Sequence, residues 1–236
     1  MKRMTKVLSC FAAALFGAGL LAAAAATVED RKSDPYTLTT CPVTGKELGS
    51  MGDPVVKEID GREVRFCCEP CIAKLEADKA TYFKKIDAEL ARQQQHYYPL
   101  DTCVVRGDAL EEGKTIEIVH RNRLVKVCCR MCARKFNAEP EKFLAELDKK
   151  VIEKQREHYP LKTCLVSGEE LGGMGEPVEV VIGNRLVRLC CGGCKKGLMK
   201  DAAKHVATLD AAWKKQHEKA GQGTGTGHAE HHGKGG

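Results

Sequence analysis

Twelve of the thirteen cysteines obey one pattern written three times. Cys41 precedes Cys67-Cys68-x-x-Cys71, Cys103 precedes Cys128-Cys129-x-x-Cys132, and Cys164 precedes Cys190-Cys191-x-x-Cys194. The leading cysteines are 62 and 61 residues apart, a fixed period that marks a tandem array of short units. A unit of about 60 residues buries too little surface for comfortable stability, and a metal or disulfides commonly supplement such a core. Aromatic residues are only 5% of the chain. The cores are therefore aliphatic and thin, and sulfur serves as a structural element.

Aligned on sulfur, the units share further residues. Each opens with Tyr-x-Leu-x-Thr-Cys, at Tyr36–Cys41, Tyr98–Cys103 and Tyr159–Cys164, and a glycine follows four residues later at Gly45, Gly107 and Gly168. Two apolar-rich runs then flank a two-residue hinge. They are 55–59 and 63–66 around Asp60-Gly61, 116–120 and 123–127 around Arg121-Asn122, and 178–182 and 185–189 around Gly183-Asn184. Asp-Gly and Gly-Asn accept positive φ and are strong hairpin signals, whereas Arg-Asn is a weaker one. The second strand of each hairpin delivers the Cys-Cys pair.

After the pair the pattern turns helical. Cys71, Cys132 and Cys194 fall in a first helical turn, and a longer helix follows in each unit, over 81–95, 140–157 and 202–217. Pro140 suits a first helical position, and Phe143, Leu144, Leu147, Val151 and Ile152 keep helical spacing. The expected fold class is α+β, with each unit a turn, a β-hairpin, one short helix and one long helix.

A soft cation such as zinc or copper(I) needs thiolates converging on one point. A cysteine from the turn before a hairpin and two or three from the strand–helix corner can meet in that way. Four cysteines complete a tetrahedral site, or three bind and one stays free. The candidate ligands are thus Cys41, Cys67, Cys68 and Cys71, then Cys103, Cys128, Cys129 and Cys132, then Cys164, Cys190, Cys191 and Cys194, with up to one zinc or copper ion per unit. An all-thiolate site leaves no position for activated water, which points to a non-enzymatic role.

Cys41-Pro-Val-Thr-Gly45, the hairpin, and Arg65-Phe-Cys-Cys68-x-x-Cys71 leading into a helix resemble the YHS and TRASH group of small heavy-metal-binding modules. The likeness covers about 35 residues of each unit, and in the second it extends to Phe136-Asn-Ala-Glu-Pro140-Glu-Lys-Phe143. It implies treble-clef-like modules with a metal-binding or metal-sensing role. It also implies Cys41, Cys67 and Cys71 as ligand positions, with Cys103, Cys128, Cys132, Cys164, Cys190 and Cys194 their equivalents. The chain departs from the family pattern at two places. The opening-turn cysteine of many such modules falls where this chain has Thr44, Arg106 and Ser167, and a common serine is replaced by Cys68, Cys129 and Cys191.

Other readings of the cysteines remain open at this level. Two disulfides per unit would make a stapled extracytoplasmic interaction protein, although a bond between adjacent Cys67 and Cys68 is sterically poor. Cys68-Glu-Pro-Cys71, Cys129-Arg-Met-Cys132 and Cys191-Gly-Gly-Cys194 share the spacing of dithiol redox motifs. A thioredoxin-like unit, however, needs a βαβ framework that such short units lack. His96, His158 and His217 recur unevenly near the helix ends, which argues against a fixed ligand role. His120 and His205 read as surface residues. Met51 and Met174 lie beside glycine and hint at copper, but the second unit has no loop methionine. No phosphate loop, nucleophile elbow or His-Glu-x-x-His occurs.

Residues 1–26 carry a basic start, an apolar stretch and an alanine-rich end, the pattern of a secretory signal. Cleavage there removes Cys10 and leaves no stable membrane anchor, placing the mature chain in a periplasmic or extracellular space. The net charge of +6 includes Lys2, Arg3 and Lys6 of that segment, so about +3 remains. That is too little, and too dispersed, to suggest nucleic acid as a partner. The expected organisation is a signal at 1–26, metal-binding units at 36–97, 98–158 and 159–219, and a disordered Gly/His tail at 220–236 that includes His228, His231 and His232.

Overall fold

The computed structural model describes residues 33–222, so the expected signal, Cys10 and the tail histidines lie outside the described residues. Over the described residues the fold is α+β, with three antiparallel two-stranded hairpins and six α-helices. Strands β1 (Val55–Ile59) and β2 (Arg62–Phe66) precede helices α1 (Pro70–Ala77) and α2 (Lys79–Gln94). The order recurs with β3 (Ile116–His120), β4 (Arg123–Val127), α3 (Arg130–Ala138) and α4 (Pro140–Gln155), and then with β5 (Val178–Ile182), β6 (Arg185–Leu189), α5 (Cys194–Lys200) and α6 (Ala202–Gln222). Helix α6 is longer than its expected 202–217 span and takes in the first residues assigned to the tail.

Each hairpin closes through two residues of positive φ: Asp60 and Gly61, Arg121 and Asn122, Gly183 and Asn184. A pair of left-handed residues gives the turn a twist that matches the flanking strands. Arg121-Asn122 adopts it despite the weaker local signal. In each hairpin the second strand is largely buried, joined in the third by Val180, Val181 and Ile182 of the first strand, and its apolar side chains form the core against the helices that follow. Tyr36, Val64, Phe66, Leu75, Ile86 and Leu90 make the first core. Val125, Val127, Phe136, Phe143 and Leu147 make the second. Val187, Leu189, Leu198, Val206, Leu209 and Trp213 make the third.

Helix starts follow elementary rules. Pro70 and Pro140 open α1 and α4, where the missing N–H has no partner to lose. The Asp78 carboxylate accepts from the Thr81 N–H and caps α2.

The long helices tie successive segments together. The Gln94 side chain, at the end of α2, donates to the Asn122 carbonyl and accepts from the Leu124 N–H of the second hairpin. Gln155, at the end of α4, does the same to Asn184 and Leu186 of the third. Val151 packs with Val181 and Leu186 across that second junction. In addition, Arg65 donates to the Met199 and Lys200 carbonyls at the end of α5, joining the first hairpin to the third segment.

Candidate metal centres

Each hairpin is preceded by a tight turn that aims a sulfur inward. The Gly45 N–H reaches back to the Cys41 carbonyl at 2.9 Å, and the Cys41 N–H to the Lys46 carbonyl at 2.8 Å. Cys103 with Gly107 and Asp108, and Cys164 with Gly168 and Glu169, repeat both bonds. The turn needs a left-handed residue at its fourth step, with φ of 70° at Gly45, 78° at Gly107 and 79° at Gly168. Glycine adopts it without a Cβ penalty. The strand end and first helical turn then bring two more sulfurs to the same place.

Three groups result: Cys41, Cys67 and Cys71; Cys103, Cys128 and Cys132; Cys164, Cys190 and Cys194. Within each group the sulfur atoms lie within 4.8 Å of one another. Cys67 and Cys71 are 3.8 Å apart, Cys128 and Cys132 3.6 Å, and Cys190 and Cys194 3.7 Å. Thiolates bound at about 2.3 Å around one ion would sit about 3.8 Å apart, so the pockets already have the size of a coordination sphere. These nine cysteines, and the doubled Cys68, Cys129 and Cys191, are all free thiols in the structure.

The doubled cysteines lie to one side of the groups. Cys68 is 3.8 Å from Cys67 and 3.5 Å from Cys71, and Cys191 is 3.9 Å from Cys190 and 4.0 Å from Cys194. Cys129 faces Cys132 and Cys128. All three are half-buried, whereas Cys41, Cys103 and Cys164 are only 1–2% exposed.

Electrostatics divide each cluster. Burial opposes ionisation of Cys41, but the N–H groups of Cys67, Thr44 and Val43 and the Thr44 hydroxyl outweigh it and lower the thiol to about 7. Cys164 falls to about 6 in the same way: burial is outweighed by the Ser167, Cys190 and Val166 N–H groups and the Ser167 hydroxyl. Cys103 is lowered too, with the Cys128, Arg106 and Val105 N–H groups prevailing over burial. Burial pushes the opposite corners up, Cys132 to about 11 and Cys194 to about 12, and raises Cys71 and Cys128 as well. Burial thus favours the protonated form of Cys71, Cys128, Cys132 and Cys194, whereas the turn cysteines and the doubled Cys68, Cys129 and Cys191 are shifted toward the thiolate. A cation would displace those protons.

The residues three positions after each turn cysteine, Thr44, Arg106 and Ser167, differ in what they touch. The Thr44 hydroxyl is 3.3 Å from the Cys67 sulfur, and the Ser167 hydroxyl 3.3 Å from Cys190. In the second segment Arg106 pairs instead with Asp108, whose carboxylate is 3.7 Å from the Cys128 sulfur. Histidine joins none of the three groups. His96, His158 and His217 are exposed. His120 and His205 are half-buried instead of superficial, because His120 packs edge-on against Phe136 and His205 lies beside the Leu165 backbone.

A recurring ion pair, without an obvious local signal in the sequence, fastens each hairpin tip to its long helix. Arg62, Arg123 and Arg185 each follow a hairpin turn and each bonds an aspartate of the long helix 25 residues on, at Asp87, Asp148 and Asp210. The equal offset is visible once the segments are aligned. No family model matches this chain, and no characterised protein or solved structure shows significant similarity to it.

Proposed function

We propose that this is an exported, non-enzymatic protein of three tandem treble-clef-like modules, related to the YHS and TRASH group, each taking one soft metal ion through cysteine thiolates. The convergence of three sulfurs within 4.8 Å in every segment carries the reading. Zinc and copper(I) are the ions such a donor set favours. Because every donor in the three groups is sulfur, the chemistry is that of holding and transferring an ion, and the role is buffering, sequestration or delivery outside the cytoplasm. The +3 charge of the mature chain and its dispersed lysines and arginines favour metal over nucleic acid as the partner. Among the described residues, no helix is long and apolar enough to cross a membrane.

The test is to purify the mature protein from its own compartment without added metal or reductant. Its native and denatured masses, metal content and free thiols are then counted. Three bound ions, with thiols that become reactive after chelation, are expected. A mass lighter by twelve hydrogens with no metal would instead establish a disulfide-stapled interaction protein.

A further inference from the structure

In the first and third segments the four sulfurs form two triangles that share an edge. In the first, Cys41, Cys67 and Cys71 make a buried inner triangle, and Cys68 stands on the Cys67–Cys71 edge at 3.8 and 3.5 Å. In the third, Cys191 stands on the Cys190–Cys194 edge at 3.9 and 4.0 Å. In the second, Cys129 interacts with both Cys128 and Cys132. The inner corner is closed off and the outer corner reaches solvent. The exposed surface of each segment also carries a soft donor. Apart from Val56, the exposed large hydrophobic side chains among the described residues are Met51, Met131 and Met174, one per segment. Met131 sits inside the Cys129–Cys132 turn, and so supplies the thioether that the second segment's loop lacks.

Resting on the metal-binding reading above, we propose that Cys68, Cys129 and Cys191 are exchange ligands for a monovalent soft ion of the copper(I) type, and are not part of its resting coordination. An ion arriving on a thiol or chelating donor is first held by the outer triangle, for example Cys68, Cys67 and Cys71, as its bonds to the donor break and the donor leaves, a released thiolate taking a proton from solvent. It then moves to the inner triangle by forming one bond, to the Cys41 sulfur, and breaking one, to Cys68. The other two bonds persist throughout. No electrons are exchanged; each thiol that becomes a ligand releases its proton to solvent, and Cys68 takes one back when it lets go. Three thiolates satisfy copper(I), so the fourth sulfur is free to exchange, whereas zinc would retain all four.

The experiment presents copper(I) as its coloured bicinchoninate complex to the full chain under anaerobic conditions and follows capture by stopped flow. Cys68→Ser/Cys129→Ser/Cys191→Ser is compared with wild type, and alanine at the same positions guards against a serine oxygen acting as ligand. Both variants are expected to bind three ions at equilibrium but to capture them at least tenfold more slowly. The complementary Cys41→Ser/Cys103→Ser/Cys164→Ser chain should capture at the wild-type rate and lose the ions readily to excess chelator. Wild-type rates in the outer variants, or loss of the ions from them, would overturn the assignment. A wild-type chain that binds zinc(II) but no copper(I) would overturn the exchange proposal alone. Binding of neither ion would overturn the metal-binding reading itself.

Discussion

Gly197 shows how closely a single residue governs a cluster. A Cβ there would lie 2.7 Å from Val166 Cγ1, in the turn that carries Cys164. Gly197→Ala therefore pushes helix α5 off that turn. It should cost about 1–3 kcal/mol, the usual range for overpacking, measurable by denaturant titration. Metal retention in the third segment alone should fall with it. At the same scale, the thiols set the pH dependence. At pH 7.5 Cys132 and Cys194, at about 11 and about 12, hold their protons, so binding must displace at least one proton in each of these clusters. Affinity should rise with pH by about tenfold per unit for each proton displaced, and fall on acidification. Below about 6 Cys164 must be deprotonated as well, and the third site's slope should steepen. Competition with a chelator between pH 5.5 and 8.5 measures it, and a flat profile would remove thiols from the coordination sphere.

At the scale of elements, the hairpins are where sequence and structure correspond most fully. Alternation and the Asp60-Gly61 and Gly183-Asn184 signals mark strands whose ends agree with those observed to within a residue. Arg121-Asn122 was harder to read because its conformation is held by distant groups. Asn122 Nδ2 donates to the Asp34 and Glu63 carbonyls, and its Oδ1 accepts from Arg62. Local propensity carries no record of such partners. The convergence of the cysteine triads was legible from spacing, since turn, strand end and first helical turn are local features. The outward placement of the doubled cysteines was not, because it depends on which way one strand residue points as the strand gives way to the helix. Asn184 offers a direct test of the hairpin tips. It is fully buried at φ 60°, and its Nδ2 satisfies the Leu124 carbonyl. Asn184→Ala strands that carbonyl and places alanine in a left-handed turn, and should destabilise by about 2–4 kcal/mol on chemical denaturation.

Across the whole molecule, the three hairpin tips meet in a buried polar hub and the three clusters lie at the opposite ends of the strands. Five residues at about 3.3 Å each put every cluster about 17 Å from its own tip. Arg123 is the hub's principal charge, bonded to Asp34 and Asp148 at 2.7 Å and buried with both. Asp34 also accepts from the Gly183 N–H, and Arg185 donates to the Gln93 carbonyl, so first, second and third segments are all joined. Arg123→Ala leaves two buried carboxylates uncompensated and should cost about 3–5 kcal/mol. If the hub couples the segments, the loss will lower one shared unfolding transition in calorimetry; three transitions with only one displaced would show that they fold separately.

X-ray absorption at the edge of the metal, recorded on protein loaded to saturation, addresses the cysteine clusters most directly. The account predicts a first shell made only of sulfur at about 2.3 Å, with three ions per chain. Nitrogen or oxygen neighbours in that shell, or a chain that takes up no soft metal when fully reduced, would contradict it.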